Sequence, residues 1–134
     1  AVAGAHGVAH YSVSSRKWRL FGNESQERAL CCVGGLAWWH DLLVVPCTTP
    51  DEKYPSFQSA WSRKIIVLTS ACCRYEVRFY PRDVNLDNRN VVRTLPCGRE
   101  IHYLNVWGDR LLVLVTTTTR LSTPEFSLTL SWYL

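Results

Sequence analysis

The sequence predicts an all-β fold: a fragment of a β-propeller, about two blades of four-strand meander, interrupted by an insertion and followed by a tail. Three observations predict it. Strand-like runs of about five residues, joined by turns of two to four, recur along the chain. One hairpin stretch is repeated. Gly34-Gly35-Leu36-Ala37-Trp38-Trp39-His40-Asp41-Leu42-Leu43-Val44-Val45 has a degraded copy in Leu104-Asn105-Val106-Trp107-Gly108-Asp109-Arg110-Leu111-Leu112-Val113-Leu114. Lastly, the apolar run after each turn is continuous rather than alternating. Neither of its sides can face water, so it belongs inside stacked or radially packed sheets.

Composition agrees with a packed chain. The 134 residues allow one modest domain, and 47 % hydrophobic against 19 % charged residues fits a globular chain rather than a disordered one. The chain starts at Ala1 and holds no Met, so a piece of a longer protein is expected. The net charge of +4 is mild, and Lys and Arg are spread in ones and twos among Asp and Glu. A nucleic-acid partner is therefore not expected, because such binders cluster their basic residues on one face. The apolar runs fall short of the roughly 18–20 residues that span a bilayer, and no signal peptide opens the chain.

The elements follow in order. Val2-Ala3-Gly4 ends a strand, and Ala5-His6-Gly7 turns. Val8–Ser12 is a strand, Ser14-Ser15-Arg16 a turn, and Lys17–Phe21 the next strand. Gly22–Arg28 is polar and reads as a loop, and Ala29–Val33 as a short strand leading to the first hairpin. That hairpin and its copy turn at His40-Asp41 and Gly108-Asp109, residues that tolerate the backbone angles of a tight turn. The Asp side chains are expected to bond their own turn backbone. Pro46–Pro55 reads as a loop, since proline cannot donate to a ladder and is excluded from a central strand. Ile65–Leu68 is a candidate strand. Tyr75–Tyr80 alternates, with Glu76 and Arg78 on one face and Tyr75, Val77 and Phe79 on the other. Pro81–Asn88 is a turn-rich link, Val91–Leu95 a strand, and Pro96–Glu100 a break before the second hairpin. Leu121–Leu134 is β-prone and offers one further strand.

The order of strands repeats, and Asp41 and Asp109 lie 68 residues apart (109 − 41 = 68). Propeller blades repeat at about 40–50 residues. Taking out Pro55–Arg74 as a 20-residue insertion brings the offset to 48 (68 − 20 = 48), which fits. The expected organisation is a blade region over 1–54, an insertion over 55–74, a second blade region over 75–115, and a tail over 116–134.

No reactive constellation stands out. His6 and His10 are the closest His pair, but they straddle Gly7 without a nearby Cys or carboxylate, so turn and strand roles are favoured over a metal site. Asp41 and Asp109 occupy identical settings, which favours turn-capping over paired acid/base work. Ser and Thr show no nucleophile elbow, and Gly34-Gly35 opens no helix and forms no phosphate loop. Asn23-Glu24-Ser25 matches a glycosylation sequon. Trp18, Trp38, Trp39 and Trp107 sit beside apolar strands and are expected to pack within or between blades rather than stack on a ligand. The adjacent pairs Cys31-Cys32 and Cys72-Cys73 make an awkward disulfide framework and lack zinc-site spacing. Together with Cys47 and Cys97 they read as reduced core thiols of a cytosolic protein. No catalytic, cofactor-binding or metal-ligating residue is assigned, and no cofactor is expected.

One family is resembled closely. His10-Tyr11-Ser12, Lys17-Trp18-Arg19-Leu20-Phe21-Gly22-Asn23, Gly34-Gly35-Leu36-Ala37-Trp38-Trp39 and Asn85-Leu86-Asp87-Asn88 are similar to the Ric-one (ribosome control protein one) family. Its members are large subunits of a two-subunit complex with Rgp-one. The resemblance covers roughly Ala1–Tyr54 and Tyr75–Val115; Pro55–Arg74 and Thr116–Leu134 depart from the family's pattern. It implies a WD40-like propeller followed by a helical region, with these motifs late in the propeller. It also implies guanine-nucleotide exchange on the Golgi GTPase Rab-six, and peripheral Golgi association through the complex. No functional residue of the family maps onto these motifs.

The expected role is therefore a non-catalytic interaction scaffold, a fragment of an exchange-factor subunit serving retrograde transport to and within the Golgi, with an Rgp-type subunit and a Rab-type GTPase as partners. Exchange of this kind is a population shift toward the nucleotide-free GTPase and needs no bond chemistry. The alternative is a secreted, disulfide-stapled β-sandwich glycosylated at Asn23; a third reading is a metal enzyme using His6 or His10. Thiol titration of the denatured, unreduced chain decides against the secreted form if all six Cys react.

Overall fold

The computed structural model describes residues 1–4, 6–50, 73–116 and 129–133. Among these the chain forms three antiparallel sheets. The first sheet is β1 (Val2–Ala3), β2 (Val8–Ser12) and β3 (Lys17–Arg19), in chain order. A short helix α1 (Glu24–Ala29) follows. In the second sheet, β4 (Cys31–Cys32) and β5 (Ala37–Trp39) share one side of β6 (Leu42–Pro50), which pairs on its other side with β7 (Cys73–Pro81) and through it β8 (Arg93–Pro96). The third sheet sets β10 (Arg110–Val115) between β9 (Ile101–Trp107) and β11 (Thr129–Tyr133). The roughly two blades expected are thus one full sheet with a partial sheet on each side. The candidate strand at Ile65–Leu68 lies outside the described residues.

Opposite faces of the middle sheet enter two different cores. Its forward face (Val44, Tyr75, Val77, Phe79) packs on Ile101, Leu104, Leu111, Val113 and Val115 of the third sheet. Its rear face (Leu43, Val45, Cys47, Tyr80) packs on Val8, Phe21, Leu30 and Leu86 beside the first sheet. Leu43, Val44 and Val45 are all fully buried. This is why the run after the hairpin is apolar without alternation: successive side chains point to opposite faces, and both faces are covered. β7 shows the expected alternation, with Tyr75, Val77 and Phe79 buried and Glu76 and Arg78 half-buried. Arg78 Nη2 lies 2.6 Å from Glu76 Oε1, so each charge on the rear face has its counter-charge.

The prolines overturn one expectation. The sequence reads Pro46–Pro55 as a loop, yet Pro46 to Pro50 belong to a central strand; residues 51–55 lie outside the described residues. Antiparallel residues direct both their backbone N and C=O to the same neighbour, alternating along the strand. The Val33 N–H donates to the Pro46 carbonyl at 3.0 Å, so Pro46 faces the β4/β5 side. There the partner is discontinuous: β5 pairs as far as Ala37–Val44, β4 resumes at Cys32–Cys47, and residues 33–36 loop out between them. The proline nitrogen meets that gap. Pro50 points to the same side, beyond the end of β4 at Thr48. Neither proline is a paired position of the β4 or β5 ladder.

The second correction is α1, where the sequence reads as a loop over Gly22–Arg28. Asn23 caps it: its Oδ1 accepts from the Ser25 N–H at 2.8 Å and the Gln26 N–H at 3.4 Å. Arg28 and Glu24 pair at 2.5 Å one turn apart. The helix buries no residue, so it has no apolar stripe by which the sequence could betray it. It ends at Leu30, which is extended and enters the rear core. Smaller shifts follow the same local chemistry. β3 stops at Arg19, and Phe21 instead bridges Leu86. β8 starts at Arg93 because Asp87 caps a 3-10 turn over Asn88–Asn90.

At Gly34 the loop between β4 and β5 lies against β9 of the third sheet. Its φ is +73°, its carbonyl accepts the Leu104 N–H at 3.1 Å, and a Cβ there would lie 3.0 Å from the Tyr103 backbone nitrogen. Gly35 also has positive φ (+96°) but open space around it. A side chain in this region of φ costs about 1–2 kcal/mol. Gly34→Ala is expected to reduce protection of the Leu104 amide against hydrogen exchange by about 5- to 30-fold relative to wild type. Gly35→Ala, strained but not crowded, should reduce it less.

Candidate functional site

The turns at one end of the stack converge into a polar–aromatic rim. Both hairpins close in two residues, with Trp39 opposite Leu42 and Trp107 opposite Arg110. Such turns favour positive φ, supplied by Gly108 at +58° and, in the first hairpin, by His40 at +51°. The end of β7 arrives beside the first turn, where the Arg82 N–H donates to the Asp41 carbonyl at 2.8 Å.

The two Asp residues do not cap their own turns as expected. Asp109 accepts from Trp39 Nε1 at 3.3 Å and lies 3.6 Å from His40 Nε2, both on the preceding sheet. Asp41 pairs with Arg82 at 3.4 Å. A tight two-residue turn closes its own backbone ladder, which leaves the carboxylates free to reach across. Each is committed to a donor on another element, Asp109 to Trp39 and Asp41 to Arg82.

Arg82 organises the rim. It donates to the His40 carbonyl at 3.2 Å, and its guanidinium carbon sits 4.9 Å above the Trp38 ring. Trp38 stands edge-on to His10 with centroids 5.4 Å apart. Trp39 meets His40 at 5.0 Å and Phe79 at 6.4 Å, both edge-to-face. Ser12 Oγ donates to Asp83 at 3.4 Å, tying the first sheet to the same end. The result is a patch with an exposed guanidinium, an indole face and two carboxylates, suited to contact with a polar protein surface.

The remaining candidates separate. Trp39 packs between sheets as expected, while Trp38 touches His10 of the first sheet but stays 38 % exposed. Trp18 and Trp107 do not: they are 54 % and 81 % exposed, because they lie on the outer faces of the flanking sheets. His6 is exposed, whereas His10 is fully buried with both ring nitrogens lacking a hydrogen-bond partner. Among the described residues no group of His, Cys, Asp and Glu is arranged to hold a metal ion. Cys31, Cys32, Cys47 and Cys97 carry no disulfide. Burial pushes the thiols of Cys32 and Cys97 up to about 11, and that of Cys47 further. Cys72 lies outside the described residues. Arg82 is what sequence reasoning missed; it follows a proline in a link, and no local pattern marks it.

A family model described as the RIC1 second beta propeller domain matches residues 1–123. The chain is 40 % identical over 113 residues to guanine nucleotide exchange factor subunit RIC1 of Mus musculus, and 34 % identical over 113 residues to that of Homo sapiens. Each match covers 84 % of this chain and 6 % of the relative. A Caenorhabditis elegans guanine nucleotide exchange factor subunit is 50 % identical over 43 residues, 32 % of this chain and 3 % of that protein. The chain thus spans about 6 % of the length of the mouse and human relatives. No solved structure matches.

His10 gives the site a pH dependence. Burial holds its imidazole below the usual value of 6.5; the N-terminal ammonium, Arg19 and Arg82 add to this, and Asp83 opposes it. Because the folded value is depressed, the unfolded chain binds the proton more readily, so stability is lost as pH falls. Native near-ultraviolet circular dichroism is expected to hold above about pH 6.5 and to decline below it. His10→Phe, which keeps a ring against Trp38, should flatten that decline.

Proposed function

The chain belongs to the RIC1 second β-propeller family, and from that premise we propose that it is a non-catalytic interaction scaffold within a guanine-nucleotide exchange factor subunit. The observation that supports this most is the rim: Arg82 over Trp38, flanked by Asp41, His40 and Asp109, gathers charge and aromatic surface from two sheets at one end of the stack. Arg and Trp are the residue types that anchor protein interfaces. The partners are an Rgp-type subunit and, through the complex, a Rab-type GTPase. The setting is the cytosol and the peripheral Golgi membrane, in retrograde transport. No helix among the described residues is long and apolar enough to cross a membrane, and membrane contact comes through the complex.

The scaffold works by differential binding. An exchange complex must bind the nucleotide-free GTPase better than the GDP-bound form, and a propeller contributes by holding the parts that do so in register. That requires a rigid surface, and both faces of the middle sheet are buried to supply one.

The test is Arg82→Glu made in a complete RIC1-type subunit. The substitution reverses the charge at the rim while the buried strands are untouched. It is expected to weaken capture of the Rgp-type subunit by at least tenfold, about 1.4 kcal/mol, and to slow GDP release by the assembled complex in proportion. Unchanged capture together with unchanged GDP release overturns the assignment of the rim.

A further inference from the structure

Two thiols stand opposite each other across a ladder of the second sheet. Cys32 of β4 pairs with Cys47 of β6. Directly opposed residues of an antiparallel pair point to the same face, and both side chains reach the rear core, Cys47 fully buried and Cys32 partly. The backbone pattern fixes which kind of pair this is. The neighbouring Val33 N–H donates to the Pro46 carbonyl at 3.0 Å, so hydrogen bonding on this side of β6 falls on that step. Cys47 directs its own backbone groups the other way, toward Glu76 of β7. Cys32 and Cys47 are therefore a non-hydrogen-bonded pair, the closer of the two kinds, in which Cα atoms lie about 4.5 Å apart. A disulfide spans Cα separations of about 4.4–6.8 Å. Cys31 points to the opposite face of β4 and stands across from Thr48.

The two sides of the pair differ in freedom. Cys47 sits in a nine-residue strand whose two faces enter different cores. β4 is two residues long and runs straight into the loop of residues 33–36, which holds Gly34 and Gly35. β4 is therefore the side that adjusts to a bond. The Cys32 thiol donates to the Gly35 carbonyl at 3.7 Å, and rotation about its Cα–Cβ bond turns the sulfur toward Cys47. The same loop carries the Gly34 carbonyl that accepts the Leu104 N–H of β9. A bond at Cys32 thus fixes one end of the loop that touches the third sheet.

We propose that Cys32 and Cys47 are a site of reversible oxidation, where hydrogen peroxide joins them in a disulfide that latches β4 to β6 and steadies the loop against β9. The Cys32 thiolate attacks one peroxide oxygen, the O–O bond breaks, and the departing hydroxide leaves as water with the thiol's proton. Cys32 is then a sulfenic acid. The Cys47 sulfur attacks the Cys32 sulfur, the S–O bond breaks, and a second water carries off the Cys47 proton. Two thiols and one peroxide become one disulfide and two waters; the sulfurs lose two electrons and the peroxide gains them. A thiol reductant reverses the bond by exchange. Only the thiolate attacks, and burial holds the Cys32 thiol up at about 11, so the latch answers to sustained oxidant rather than a brief pulse. The inference rests on strand register and is independent of the rim and of the exchange-factor reading.

The test uses the complete subunit that carries this segment, reduced, freed of reductant and treated with hydrogen peroxide. Free thiols are then alkylated, and the protein is digested without reduction by chymotrypsin, which cuts after Trp38 and Trp39 between the two Cys. A disulfide-linked pair of peptides containing Cys32 and Cys47 is expected by mass spectrometry, and dithiothreitol should separate it. The rate of linkage should rise about tenfold per pH unit between pH 7 and 9. Cys31→Ser should link as wild type does, and Cys32→Ser should not; Cys32→Ala replaces the latter if its circular dichroism departs from wild type. In the linked protein the amides of Val33 and Leu104 should exchange at least tenfold more slowly than in the reduced one, because the cross-link restrains opening. Peptides that stay separate at pH 9, or a link to Cys47 that survives loss of Cys32, overturn the pairing. A linked protein whose Val33 and Leu104 amides exchange as fast as in the reduced form overturns the latch.

Discussion

The structure depends on β6 being covered on both faces. Leu43 and Val45 go to one core and Val44 to another, all without exposure. A strand placed so cannot stand alone or at the surface of a two-layer sandwich. It needs a sheet in front and a sheet behind. The three-sheet stack is the least that satisfies it, and the same need sets the composition of its neighbours. β7 alternates because only part of its rear side is apolar: the Glu76–Arg78 pair occupies the rest, and that pair is tolerated because the two charges meet each other.

Backbone bookkeeping explains why β6 carries prolines that would forbid most central strands. A missing N–H matters only where a partner carbonyl waits for it. β4 and β5 are two short strands in place of one long one, and the break between them falls opposite Pro46. Gly34 and Gly35 lie in that break. Gly34 uses it to bring the backbone against β9, with its carbonyl on the Leu104 amide. One interruption therefore accommodates the proline and creates a backbone contact with β9.

Much of this was legible from residue order. The hairpins, β2, the alternation of β7 and the two-sided burial of β6 follow from period and turn chemistry, which are local. The misses share a cause: the deciding partner lies far away in sequence. Pro46 is acceptable because of a gap at residues 33–36. The helix at Glu24–Ala29 rests on a cap and one ion pair rather than an apolar stripe. Arg82 acquires its role only when β7 ends beside the turn at His40-Asp41. Trp107 looks like Trp39 in sequence and differs from it in having no sheet in front among the described residues. The rim is the least legible part, since it is assembled from turns of different sheets.

The hairpin repeat takes on a different meaning once the geometry is known. A two-residue turn needs positive φ at its first position, and Gly108 or a strained His40 can supply it. The turn itself does not explain why Trp and Asp persist in both copies. The contact between sheets does. Trp39 donates to Asp109, so the Trp of one hairpin finds its acceptor on the Asp of the next. A repeat written this way fixes the relative position of successive sheets with groups at their ends, while the cores, made of interchangeable Leu and Val, fix only their spacing. The pair belongs to the junction and not to either hairpin. That is why Asp109 sits where a turn cap would be expected and yet bonds Trp39 of the preceding sheet, while Asp41 is held by Arg82 at the end of its own sheet.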